Sequence, residues 1–244
     1  MLREIFLGII VVVLLGYLFF SMSFLKNKAD NSLICNTTQI KIITFEDNPY
    51  FQEEDIRLLI EESGIDPSNK PFSQINMGDI EQTLEQDVLI KDAECYKTTD
   101  GTVVINIYQR IPLLRIMSHT DNYYIDTEGQ KMPVPNNFAA HVLLASGHIE
   151  EEYAQKELYG LVQFIKKDSY WNENIEQIYI DKNQDVELTP QKGDFQIILG
   201  KAKDYETKFR KLEAFYPQLL DSIGWNRYAS ISLKYKNQIV CTRR

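Results

Sequence analysis

Residues 91–109 read KDAECYKTTDGTVVINIYQ, and the fold of the first half of the chain follows from them. The pair Asp100-Gly101 is typical of a tight turn between two antiparallel strands. The pattern therefore predicts one strand over residues 91–98 and another over residues 102–109. Apolar side chains occupy every second position of the latter strand, namely Val103, Ile105 and Ile107. This alternation predicts a β-hairpin that buries one face.

Upstream of the hairpin, the sequence predicts one strand and two helices. Residues 39–45 are rich in isoleucine, which is typical of a strand. Residues 52–63 place apolar side chains on one helical face, and Gly64 stands where a helix typically ends. A second helix is predicted over residues 77–86. The first half is therefore predicted to have the order strand, helix, helix, strand, strand.

The pattern of the second half predicts a mixed, mostly antiparallel sheet with two helices, so the chain falls in the α+β class. Helical spacing of apolar residues predicts helices over residues 151–167 and 204–216. Short apolar or alternating runs between turn residues predict the following strands: 175–181, 185–189, 195–199, 228–236 and 238–242.

An uncharged stretch of 21 residues, Ile5–Leu25, precedes both halves. A bilayer core needs about 20 apolar helical residues. The stretch therefore predicts a single transmembrane helix that follows a short tail, residues 1–4, and precedes a polar tether, residues 26–33. A cleaved signal peptide is the alternative, because Ser21 and Ser23 have the spacing of a cleavage site. The few flanking charges leave the orientation open.

Charge is unevenly distributed along the chain. The net charge of −9 argues against a general nucleic-acid-binding protein, which would carry a basic surface. Residues 46–94 contain 14 acidic and 3 basic side chains, whereas residues 225–244 contain five basic and no acidic ones. Two explanations of these acidic and basic stretches stay open. They form solvated surfaces, with Lys protecting the edge of a terminal strand, or they form two partner-binding surfaces of opposite charge.

The sequence contains none of the common catalytic or phosphate-binding motifs, so neither enzyme activity nor a cofactor is predicted. The histidines His119, His141 and His148 are not at zinc-ligand spacing, and no metal site is predicted. Three cysteines, at positions 35, 95 and 241, form no metal motif. Buried thiols are expected, and a disulfide between Cys35 and Cys95 is the alternative in an oxidising compartment.

Four stretches resemble the FtsQ/DivIB family of bacterial cell-division proteins. They are residues 104–112 (VINIYQRIP), residues 124–129 (YIDTEG), Leu199-Gly200 with residues 209–219, and residues 231–235 (ISLKY). The first resembles the family's strand that ends in Arg and then Pro, and the second resembles its Tyr-Asp-Gly hairpin. The last resembles the family's final long strand, in which Ser232 replaces a common Asp.

The resemblance implies a POTRA module over residues 34–116 and a β domain over residues 117–244. It implies a non-enzymatic scaffold of the divisome at the division septum. The chain would be anchored once in the cytoplasmic (inner) membrane, with the N-terminus in the cytoplasm and the bulk on the extracytoplasmic side. The implied partners are the small coiled-coil division proteins FtsB and FtsL, with wider links to FtsK, FtsW and FtsI.

The predicted C-terminal strand is the candidate partner-binding site. An exposed edge strand, here within residues 228–242, can pair with a strand that a partner adds. Tyr235 is the candidate aromatic anchor, and basic side chains can attract an acidic partner. The candidate residues are Ser232, Lys234, Tyr235, Lys236, Ile239, Val240 and Arg243. The alternative is a strand whose Ile231, Leu233 and Tyr235 all face the core.

Two other functions stay open on the sequence alone. A POTRA-bearing factor for secretion or outer-membrane assembly would share the first module, although the chain lacks the long series of alternating strands of a barrel. An anchored envelope enzyme would need a concave cluster of acidic or histidine side chains.

Overall fold

The computed structural model describes residues 12–20, 33–43, 52–135, 139–218 and 227–244. Its contacts divide the chain into two compact units, Met1–Gln109 and Arg110–Arg244. The predicted boundary after residue 116 falls inside a strand of the second unit, Pro112–Ser118. Proline is tolerated as the first residue of a strand. Pro112 therefore begins the second unit's sheet and does not close the first unit.

Of the uncharged stretch 5–25, the structure describes residues 12–20, which are helical. Within the described ranges, no helix combines the length and the hydropathy that a membrane span requires. The predicted tail, residues 1–4, and the predicted tether up to residue 32 lie outside the described residues. The transmembrane helix therefore stays a prediction.

In its described residues from 33 onward, the first unit has a three-stranded sheet, two α-helices and a short 3-10 helix at Phe72–Gln74. Its elements are β1 (Thr37–Ile43), α1 (Glu53–Glu62), α2 (Met77–Leu84), β2 (Ile90–Lys97) and β3 (Thr102–Gln109). This confirms the predicted order strand, helix, helix, strand, strand. β3 lies in the middle of the sheet, parallel to β1 and antiparallel to β2. The core contains apolar side chains of both helices and the sheet, among them Ile56, Ile60, Ile80, Leu84, Ile105 and Ile107.

The strand order excludes the disulfide between Cys35 and Cys95. Cys95 of β2 lies opposite Ile105 of β3, and Ile105 lies opposite Ile40 of β1. Two strand spacings, about 9–10 Å, separate β2 from β1, whereas a disulfide needs Cα atoms within about 7 Å. All three cysteines are free thiols. Burial, assisted by the charge of Glu81, raises the pKa of Cys95 to about 12.

In its described residues, the second unit has one nine-stranded sheet. Its strands are β4 (Pro112–Ser118), β5 (Asn122–Asp126), β6 (Lys131–Pro133), β7 (Leu143–Gly147), β8 (Ile175–Ile180), β9 (Val186–Pro190), β10 (Gln196–Gly200), β11 (Tyr228–Ser232) and β12 (Val240–Arg243). Their order in space is β12-β11-β10-β9-β8-β7-β4-β5-β6. The pairs β4–β7, β7–β8 and β10–β11 are parallel, and the other neighbouring pairs are antiparallel. The predicted mostly antiparallel sheet is confirmed.

The described part of the second unit contains three helices, where the sequence predicts two. They are α3 (residues 151–167, with a π turn at Ala154–Leu158), α4 (Ser169–Asn174) and α5 (Tyr205–Gln218). The unpredicted helix is α4. Its cap is Asp168, whose carboxylate accepts hydrogen bonds from the N–H groups of Tyr170 and Trp171. Because α4 is shorter than two helical turns, it has no apolar period for a sequence pattern to detect.

A buried ion pair joins the start of the second unit to the turn after β5. Arg110 Nη1 donates to Asp126 Oδ2 at 2.8 Å, and the Asp126 side chain is only 2% exposed. Asp126 Oδ1 also accepts hydrogen bonds from the backbone N–H groups of Glu128 and Gln130, at 2.8 and 2.7 Å. Two of the four stretches that resemble the FtsQ/DivIB family therefore meet at this carboxylate, which has a structural role.

Candidate functional site

The last strand of the chain, β12, is also the strand at one end of the large sheet. It is shorter than the edge strand that the sequence predicts within residues 228–242. β11 lies between β10 and β12, so both of its backbone edges are already paired. The strand predicted over residues 228–236 ends at Ser232, and Leu233 N–H still donates to the Ile198 carbonyl of β10 at 2.8 Å. Among the described residues, the strand at this end of the sheet is therefore β12, Val240–Arg243.

Tyr235 lies outside the core. Ile231 and Leu233 are fully buried, but the alternation stops there, and Tyr235 is 52% exposed. The reason is that β11 has ended and the chain turns toward β12. Lys211 of α5 holds this turn, because its Nζ donates to the carbonyl oxygen of Tyr235 at 2.7 Å. The alternative in which Tyr235 faces the core is wrong.

Lys234 is engaged within the chain. Its Nζ forms an ion pair with Asp185, and Lys201 Nζ approaches the same carboxylate at 3.6 Å. The hydrogen bond to Asp185 raises the pKa of Lys234. The aliphatic part of Lys234 lies over Gly200, where a Cβ would come within 2.9 Å of Lys234 Cγ. Lys234 therefore helps to position the turn between β11 and β12.

Basic side chains surround this turn. Burial lowers the pKa of Lys208, and the neighbouring charges of Lys211 and Lys234 act in the same direction. Lys236 and Arg243 are exposed, and neither forms an ion pair with another described residue. Among the described residues of the predicted site, these are the two cations that form no ion pair.

The other predicted site residues have different surroundings. Ser232 pairs with Ile198 on one side and with Val240 on the other. Ile239 is half-buried and packs against the core, whereas Val240 is 39% exposed. The exposed members of the predicted set are Lys234, Tyr235, Lys236, Val240 and Arg243. We call Tyr235, Lys236, Val240 and Arg243 the edge surface.

Sequence reasoning missed the lysines that support this surface from elsewhere in the chain. Lys211 lies on α5, and its contact with Tyr235 spans 24 residues. Lys201 follows β10, and the Asp185 that it approaches precedes β9. No local pattern in the sequence signals either contact, because both depend on which strands become neighbours in the sheet.

Comparison with known families covers both units. The family model described as FtsQ/DivIB, C-terminal related, matches residues 111–242, which is more than half of the chain. The model described as a POTRA-like domain matches residues 33–108. No curated protein matches the chain. The two matched ranges meet where the contacts divide the chain, near Gln109 and Arg110.

Proposed function

Since the chain belongs to the FtsQ/DivIB family and is a cell-division protein with a POTRA-like domain, we propose that it is a non-enzymatic scaffold of the bacterial divisome. It connects small coiled-coil division proteins, FtsB-like and FtsL-like, with septal cell-wall synthesis, and it has wider links to FtsK, FtsW and FtsI. The scaffold uses neither a cofactor nor nucleic acid.

The proposed scaffold is anchored in the cytoplasmic membrane by residues 5–25. This proposal is supported by the 21 consecutive uncharged residues, which match the roughly 20 that cross a bilayer core. The N-terminus lies in the cytoplasm, and both units lie on the extracytoplasmic side at the division septum.

Strand addition to β12 is the proposed mode of partner binding. The observation that carries it is the 52% exposure of Tyr235 beside a strand at the end of the sheet. A partner strand would bind the free backbone edge through main-chain hydrogen bonds, and its alternate side chains would give specificity. Tyrosine is enriched among residues that dominate binding energy. Tyr235 is therefore the proposed aromatic anchor, and exposed Val240 extends the apolar contact.

Replacement of Tyr235 by alanine is expected to weaken binding of FtsB-like segments by about 2 kcal/mol or more, roughly 30-fold in Kd. The double variant Tyr235→Ala, Ile239→Pro should abolish binding, because proline also disturbs the start of the edge strand. The measurement is a calorimetric titration of the full chain in detergent with soluble FtsB-like and FtsL-like segments, alone and combined.

Tyr179 of β8 provides the matched control, because it is another exposed tyrosine of the second unit, at 40% exposure. Tyr179→Ala should bind like the unchanged chain, and circular dichroism should show that every variant is folded. Binding that survives the double variant would place the site elsewhere. No binding by the unchanged chain to either segment or to both together would reject the scaffold proposal.

The exposed cations of the edge surface are expected to accelerate association with an acidic partner. The double variant Lys236→Glu, Arg243→Glu should lower the association rate constant about tenfold at low salt, with a smaller effect at high salt. Stopped-flow or biosensor kinetics at two ionic strengths measures this. The surface-charge control is Lys192→Glu. An unchanged rate constant in the edge variant would mean that the partner segment is not acidic.

A further inference from the structure

Three neighbouring parallel strands of the second unit end side by side at a cleft. Ser118 at the end of β4 pairs with Gly147 at the end of β7, and Gly147 pairs with Ile180 at the end of β8. The cleft measures about 370 Å³, and its lining includes His119, His148, Glu150 and Lys182. Crevices at the carboxyl ends of parallel strands are common ligand sites. None of the residues that line this cleft belongs to the edge surface.

The strand register brings His119 and His148 together, because each directly follows one of the paired residues Ser118 and Gly147. The two imidazole rings contact each other, with centroids 4.5 Å apart and planes inclined by 53°. Neither ring is hydrogen-bonded to another residue in the described part of the chain. The ring nitrogens are therefore available as ligands.

Hydrogen bonds hold the backbone of His148 and of the residues on both sides of His119. His148 N–H donates to the Ile180 carbonyl at 2.9 Å. On the other side, the Asp121 N–H donates to Ser118 Oγ at 3.0 Å, and Ser118 N–H donates to the Asp121 carbonyl at 2.9 Å. The main chain at the pair is therefore held before a ligand arrives, so binding would order chiefly the two side chains.

We propose that His119 and His148 bind one transition-metal dication, such as Zn²⁺, Ni²⁺ or Cu²⁺. A Zn–N bond of about 2.0–2.1 Å puts the metal about 3.2 Å from each ring centroid, so two rings at 90–110° around it have centroids about 4.5–5.2 Å apart. The observed 4.5 Å lies at the lower end of this range, which corresponds to an N–metal–N angle of about 90°. Imidazole is a preferred ligand of these metals, whereas Mg²⁺ and Ca²⁺ prefer oxygen ligands.

The remaining coordination positions belong to solvent or to a ligand from another molecule. Among the described residues, no group of three or more His, Cys, Asp and Glu side chains has the geometry of a metal site. Glu150 and Lys182 line the same cleft, and their charges act in opposite directions on a bound cation. The site is therefore an open two-imidazole site, distinct from a closed structural zinc centre.

The test is a calorimetric titration of the full chain in detergent with Zn²⁺ alone. We expect one ion per chain. His119→Gln and His148→Gln should each weaken binding by at least about tenfold, since loss of a partner behind a metal ligand already costs about 10–100-fold. The matched control is His141→Gln, because His141 precedes β7 at its opposite end and should not contribute. Equal loss of affinity in this control would overturn the proposal.

A variant of Lys182 distinguishes a site for a cation from a site for an anion. Lys182→Gln should increase the affinity for Zn²⁺, because it removes a positive charge from the cleft, whereas an anion site would bind its ligand less tightly. Carbon-detected NMR of the imidazole rings should show shifts at His119 and His148 on addition of Zn²⁺, and none with Mg²⁺. Shifts confined to His141, or the absence of Zn²⁺ binding to the unchanged chain, would reject the site.

Discussion

Asp126→Ala is expected to lower the free energy of unfolding of the Arg110–Arg244 unit by about 3–5 kcal/mol, the usual cost of removing one member of a buried ion pair. The variant leaves Arg110 without its carboxylate and removes the acceptor of the Glu128 and Gln130 N–H groups. A fully buried donor that loses its partner costs about 1–3 kcal/mol, and these two partly buried N–H groups add less than that. Denaturant unfolding followed by tryptophan fluorescence reports this unit, because both tryptophans of the chain lie in it.

Two variants separate the contributions at this position. Asp126→Asn keeps an oxygen acceptor and loses the charge, so we expect a smaller loss than that of Asp126→Ala. The exposed pair Lys156–Glu152 has side chains 66% and 79% exposed. Lys156→Ala should therefore change stability by less than about 1 kcal/mol. A loss at Asp126 as small as that at Lys156 would contradict the structural role of the buried ion pair.

Gly147→Ala is expected to destabilise the same unit by about 3–5 kcal/mol, because strain and steric overlap act together. Gly147 has a φ of +108°, and a Cβ there would lie 2.1 Å from the carbonyl oxygen of Ile180. That oxygen accepts the hydrogen bond of His148 N–H, so the overlap cannot be relieved without moving β8 away from β7. Thermal and denaturant unfolding measure the loss.

The matched glycine is Gly129, which also has a positive φ, +81°. A Cβ at Gly129 would meet its nearest atoms, in the ring of Tyr159, at 3.5 Å, which is an ordinary contact distance. Gly129→Ala should therefore lose only the backbone strain, about 1–2 kcal/mol. Equal losses at the two glycines would show that the close approach of Ile180 is unimportant.

Most of the first unit was predictable because its signals are local. The Asp100-Gly101 turn and the alternation on both sides of it are contained in 19 consecutive residues, and the hairpin forms with Ile90–Lys97 paired to Thr102–Gln109. A turn and a period of two act over neighbouring residues, so a single sequence carries them. The helix α4 was not predictable in this way, because its stability depends on one cap and on burial of Trp171.

For the candidate site, the sequence indicates a chain segment but not which of its side chains are exposed. The sequence predicted a strand over residues 228–236, of which residues 233–236 lie in the turn between β11 and β12, and the basic character of the C-terminal end was visible in its composition. The burial of Ile231 and Leu233 followed from alternation, whereas the exposure of Tyr235 depends on where β11 stops. The role of Lys234 likewise depends on Asp185, which lies 49 residues earlier in the chain.

The sequence by itself determined the α+β class, the order of elements in the first half and the family resemblance, because periodicity, turns and short motifs are properties of neighbouring residues. Only the tertiary structure decided which strand ends the large sheet, which side chains remain exposed beside it, and that His119 and His148 meet. These features depend on strand order and register between distant segments. Such pairings arise when the whole sheet buries its core, and no single stretch encodes them.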